Sequence, residues 1–183
     1  MDTVKVDLLR SLLGFLAKPW SIVVLTMLYL AFILLIFPAA AINTNAPPID
    51  LAFHYSVDQV YGWIELYGDE GRKRYILGEL TVDVLYPIVY TFLFCGLIGF
   101  FTNVAEKGRY SQLAALPFAI WLFDMLENTG IVTMLYQYPV RLNEVAYISA
   151  WFTSIKWTLA IVVIVATVLL GIRFVYQKVS NQR

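Results

Sequence analysis

Four apolar runs, at about 20–42, 75–101, 113–136 and 146–172, are each long enough to cross a bilayer's hydrocarbon. That layer is roughly 30 Å thick and takes about 20 helical residues to span. Inside it every backbone N–H and C=O must be satisfied within the protein, so runs of this length have to be helices. Composition agrees: only 14% of the residues are charged, where a soluble domain carries about a quarter. The expected fold is therefore all-α, a polytopic membrane protein forming a single domain over 1–183. It has four transmembrane helices, an N-terminal amphipathic helix and a short helix in the first outer loop.

The first run follows Lys5, Arg10 and Lys18 and ends near Ala39–Ala41, which resembles a signal-peptide cleavage site. It is too long for the apolar core of a signal peptide and is expected to be a retained helix. Lysine and arginine counts set the orientation. With the N-terminus inside, the inner segments hold Lys5, Arg10, Lys18, Lys107, Arg109, Arg173, Lys178 and Arg183, and the outer loops hold Arg72, Lys73, Arg74 and Arg141. Both termini are expected in the cytoplasm.

Residues 2–17 read as an amphipathic helix with Val4, Leu8, Leu12 and Phe15 near one face, suited to lying on the membrane surface. The longest polar segment runs from about Asn43 to Arg74. In it Ser56 and Gln59 fit a capping box opening a short helix, VDQVYGWIELYG, which Gly68 ends. Val60, Trp63, Ile64 and Tyr67 share one side of that helix, which either rests on the outer interface or caps the bundle. Asp69 and Glu70 then suit the positive start of the next helix. The connections TNVAEKGRYSQ and QYPVRLNE are short, so the last three helices should pack as antiparallel neighbours.

The polar residues inside the spans carry the functional reading. On the second helix Glu79, Asp83, Tyr86 and Tyr90 are offset by 0, 4, 7 and 11 residues, which puts them on one face. Pro87 cannot donate to the Asp83 carbonyl, so that carbonyl is freed beside the Asp83 carboxylate. The third helix carries Asp124, Glu127 and Asn128 on one face, and the fourth carries Ser149, Thr153 and Lys156. At a rise of ~1.5 Å per residue, Asp83 is roughly 12 Å deep and Glu127 and Lys156 roughly 15 Å deep, so three helices bring ionisable groups to one level. Facing lipid, each would cost about 2.5–3.5 kcal/mol, so they should face one another or a watery cavity. A purely structural role explains one Asp–Lys pair well. It explains four carboxylates around one cation poorly. The surplus must be balanced by protons, a cation or an ammonium-bearing ligand.

Other chemistries are narrowed by what the chain lacks. Net charge is zero, with 13 basic and 13 acidic residues, so no nucleic-acid partner is expected. Cys95 is the sole cysteine, which excludes an internal disulfide and the thiol–disulfide quinone chemistry of vitamin K epoxide reductase. His54 is the sole histidine and reads as a surface loop residue, which argues against zinc and excludes a ceramidase-like three-histidine hydrolase. Magnesium or calcium stay open through the carboxylates. No haem, zinc or nucleotide motif is present. Ser149 and Lys156 are too far apart for a catalytic dyad. Arg72, Lys73 and Arg74 are candidates for phosphate headgroups or a snorkelling interfacial cluster.

The series YGDEGRKRY, then Asp83 and Tyr86-Pro87, then FDMLENTG at 123–130 resembles uncharacterised small four-helix bacterial inner-membrane proteins over most of the chain from Leu51 onward. That resemblance implies the topology and an inner-membrane location, and no activity. GELTVDVLYP is more faintly similar to the acidic second helix of the EXPERA group, which includes emopamil-binding protein and the sigma-2 receptor. Members of that group have four helices and membrane carboxylates that hold a cationic centre; no residue role is carried over. Three functions follow from the residues. The first is a pocket in the outer half of the bilayer that binds or converts a lipidic or amine-bearing small molecule. The second is a proton- or cation-coupled transport element, for which an oligomer could supply a through-path. The third is a non-catalytic assembly subunit. The first is preferred because the polar groups are localised. Its expected partners are membrane lipid and a small hydrophobic or cationic ligand.

Overall fold

The computed structural model describes residues 2–40, 46–102 and 111–181, with the side chains of 2–7, 40 and 111 left aside. The loop with Lys107 and Arg109, the start of the long loop at Asn43, the side chains of Val4 and Lys5, and Arg183 lie outside the described residues. Those described are almost wholly helical and include no strand. α1 (Asp2–Leu16) is followed by α2 (Pro19–Ala31), which passes through a π-helical stretch (Phe32–Ile36) into α3 (Phe37–Ala40). Next come α4 (Val57–Leu66), α5 (Gly68–Thr102), α6 (Ser111–Ala115), α7 (Pro117–Gln137) and α8 (Asn143–Ser180). Four helical stretches, Pro19–Ala39, Gly68–Thr102, Gln112–Gln137 and Asn143–Ser180, are long and apolar enough to cross a membrane. The second starts earlier than its apolar run and the fourth ends later. At 35 and 38 residues, they measure roughly 52 and 57 Å, so each exceeds the hydrocarbon and must tilt or project from it.

The chain forms two compact units. The first comprises Met1–Leu30, Val89–Ala119 and Leu159–Arg183. Leu13, Leu16, Leu93, Cys95, Ile98, Ala114 and Val163 are buried in it. Gly96 admits the end of α1: a Cβ there would lie 2.6 Å from the Leu16 carbonyl oxygen. Ser21 donates to the Phe15 carbonyl at 2.9 Å, tying the α1–α2 turn. Leu8, Leu12 and Phe15 are exposed, leaving the expected apolar stripe of α1 uncovered. Rings of Phe100, Phe101 and Phe174 cluster with centroids 5.2–5.8 Å apart. An open apolar groove of about 770 Å³ runs between α5 and α8 past Leu97, Phe101, Gly171 and Val175.

The second unit comprises Ala31–Ile88 and Ile120–Thr158. Its core is Ile49, Tyr55, Val60, Tyr61, Ile64, Tyr67 and Tyr75 packed with Ile131, Met134, Leu135, Ala146 and Ala150. The described part of the loop before α5 thus packs against α7 and α8 and is itself core. The capping box is present: Ser56 Oγ accepts from the Gln59 N–H at 3.2 Å, and Gln59 Oε1 accepts from the Ser56 N–H at 2.9 Å. Gly68, at φ 66°, takes the left-handed conformation that ends α4 and lets α5 begin at once. Tyr61, which the one-sided reading of α4 omitted, is buried, and its hydroxyl accepts from the Leu142 N–H at 2.5 Å. Trp63 is only half-buried.

Candidate acidic site

The site is assembled in the second unit by the packing of α7 on α8. Gly130 allows it, because a Cβ there would lie 1.8 Å from Ser149 Oγ. The two helices run past each other in opposite directions. One turn before Gly130 and one after Ser149, the Thr153 hydroxyl donates to Glu127 Oε1 at 2.8 Å. A turn further, Lys156 is paired with both Asp124, at 3.2 Å, and Glu127. Glu127 is 0%, Asp124 8% and Lys156 8% exposed. The ammonium faces both carboxylates and the Thr153 hydroxyl donates to Glu127, which replaces part of the lost water.

α5 supplies the second wall. Asn128 Nδ2 donates to the Asp83 carbonyl at 3.0 Å, filling the acceptor that Pro87 leaves open four residues on. Asp83 is half-buried, within electrostatic reach of Asp50, Asp124 and Lys156. Glu79 is only 1% exposed, and neither carboxylate oxygen has a hydrogen-bond partner among the described residues. Its charged neighbours are Asp50, Asp83, Glu127 and Lys156.

The two candidate tyrosines are placed differently from Glu79 and Asp83. Tyr86 packs against the aromatic pair at the π-helical stretch, 5.6 Å from Phe32 and 4.9 Å from Phe37. Tyr90 is buried in the first unit. The eleven-residue offset shares a face with Glu79 but lies three turns further along the helix, about 16 Å by the helical rise. The basic triplet divides as well. Arg72 donates to the Ile64 carbonyl at 3.1 Å, pairs with Asp69 and lies 4.2 Å over the Tyr138 ring, so it ties the end of α4 to the α7–α8 connection. Lys73 forms an exposed pair with Glu70 at 3.1 Å, and Arg74 is exposed.

The loop contributes residues that helical periodicity could not reveal. The Asp50 carbonyl accepts from Lys156 Nζ at 3.4 Å and from Trp157 Nε1 at 3.1 Å. The Asp50 carboxylate accepts from the Tyr75 hydroxyl at 2.5 Å, and that hydroxyl in turn accepts from the Ile49 N–H at 2.7 Å. Tyr55 lies beside Thr153 and near Glu127, Lys156 and Glu79. Burial pushes the phenols of Tyr55 and Tyr67 above their ordinary range, so both are protonated at neutral pH. The signal for Asp50 was its place in PPIDLAF, an acid inside the apolar part of an otherwise polar loop. His54, as expected, is exposed; its Nδ1 lies 2.9 Å from Ser154 Oγ and 3.2 Å from the Ala150 carbonyl.

The cluster thus holds five carboxyl groups, Asp50, Glu79, Asp83, Asp124 and Glu127, around one lysine. Among the described residues no group of three or more ligand side chains has metal-site geometry. What the arrangement can do chemically is attract and neutralise a cation, or take up protons. Compared with family models, with curated proteins and with solved structures, the chain has no match.

Proposed function

We propose that the acidic cluster is a receptor site for the cationic head of an amine-bearing, partly apolar small molecule drawn from the membrane. The observation that carries this reading is Glu79, a carboxylate 1% exposed with no hydrogen-bond partner among the described residues. A buried carboxylate left without donors is costly, and a second cation offsets the charge part of that cost. Lys156 is already engaged by Asp124 and Glu127. The surrounding rings of Tyr55, Tyr75 and Trp157 suit a ligand with an apolar body. A transport role would use the same surplus of carboxylates. In the first unit, however, the buried polar side chains described are Ser21, Thr91, Thr102 and Thr167, all hydroxyls, which favours a localised site over a proton path.

The test is thermal unfolding of the protein in lipid nanodiscs with dodecylamine or dodecanol. The amine is expected to raise Tm in a concentration-dependent way and the alcohol is not. Equal shifts from the two would overturn the reading.

A further inference from the structure

We infer that the cation held at Glu79 carries at least one N–H bond: a protonated primary, secondary or tertiary amine, not a quaternary ammonium. This rests on the reading of the cluster as an amine site and specifies which amines it takes.

Among the described residues no donor of the cluster reaches Glu79. Lys156 has three ammonium protons. They face Asp124, Glu127 and the Asp50 carbonyl, so none is left for Glu79. The Tyr75 proton goes to Asp50 Oδ1. The Thr153 proton is shared between Glu127 Oε1 and the Ser149 carbonyl, and the Trp157 N–H goes to the Asp50 carbonyl. Asn128 spends one amide proton on the Asp83 carbonyl, and the buried Tyr55 hydroxyl, though near Glu79, makes no hydrogen bond to it. Both oxygens of Glu79 still have no donor among the described residues. Charge alone does not satisfy them, because an ionised carboxylate offers about four lone-pair sites and is stable in a dry setting only when donors occupy them. A quaternary ammonium brings charge without N–H and is normally held by aromatic faces. An N–H ammonium supplies charge and donor together, in the shorter, stronger class of charge-assisted bond.

The experiment compares dodecylamine, N,N-dimethyldodecylamine and dodecyltrimethylammonium at pH 7, titrated against the full-length protein in nanodiscs and read by native mass spectrometry. The first two should bind within severalfold of each other and the third about tenfold or more weakly, the scale expected for a lost charged hydrogen bond. In Glu79→Gln the affinity for both amines should fall and the preference over the quaternary compound should shrink towards unity. Quaternary binding as tight as that of dodecylamine overturns this inference and leaves the amine reading in place. Failure of all three to bind overturns both. A full tenfold preference surviving in Glu79→Gln overturns the assignment to Glu79. The wild-type series requires no variant to fold, so the inference is exposed to refutation even if Glu79→Gln is unstable.

Discussion

The two compact units bury polar groups in opposite ways. In the first, Ser21, Thr102 and Thr167 are buried, but their hydroxyls donate to carbonyls of the same local segment: Phe15, Ile98 and Val163. In the second, Asn128, Thr153 and Lys156 each reach a different helix or the loop. A hydroxyl bonded to its own helix needs no neighbour and specifies none. A carboxylate or ammonium bonded across helices fixes which residue must lie opposite, because the alternative is an unpaired charge in a dry interior. Both units have apolar cores, but in the second the polar bonds across helices add a requirement for particular partners that those of the first do not.

The sharpest way to break this contrast is Lys156→Met. It leaves Asp124 and Glu127 without their cation and should cost about 3–5 kcal/mol, read as a lowered Tm in detergent. Adding Glu127→Gln should recover part of the loss, and strict additivity of the two changes would mean the pair carries no coupling. Next in size is Thr153→Val, which removes a donor to a carboxylate and should cost about 1.5–3 kcal/mol. Thr167→Val in the first unit keeps the shape and gives up only a bond to its own helix, so it should change stability by no more than about 0.5 kcal/mol. Similar losses for the two threonines would erase the distinction between the units.

The glycines sharpen the comparison at about 1–3 kcal/mol each. Gly130→Ala meets a side-chain oxygen, Ser149 Oγ, whereas Gly96→Ala meets the backbone oxygen of Leu16. Ser149→Gly should therefore rescue Gly130→Ala, while no side-chain truncation at Leu16 should rescue Gly96→Ala. Thermal melts of the four variants check this. Tyr75→Phe should cost about 1 kcal/mol, for the lost bond to Asp50 and the Ile49 N–H left unpaired. Faster amide exchange at Ile49 should accompany it, and unchanged exchange there would mean that Tyr75 does not hold the loop.

Local physics was legible in the sequence. The length of the apolar runs determined four helices long enough to span a membrane, since hydrocarbon allows little else. The 3.6-residue period placed Asp124, Glu127 and Asn128 on one face and Thr153 and Lys156 on another. Pro87 marked a free carbonyl, Ser56 and Gln59 a capping box, and Gly68 a helix end, because each of these is set within four residues of chain. Only the tertiary structure decided that Asn128 fills the carbonyl left by Pro87, that Lys156 serves both carboxylates, and that Asp50, Tyr55 and Tyr75 join the cluster. It also turned Tyr86 to the rings of Phe32 and Phe37 and set Tyr90 in the other unit. Periodicity reports the face of a helix but neither the level at which a neighbour meets it nor which loop folds back to cover it. Those depend on contacts such as Gly130 against Ser149, whose members are distant in sequence and whose fit is set by shape rather than by pattern.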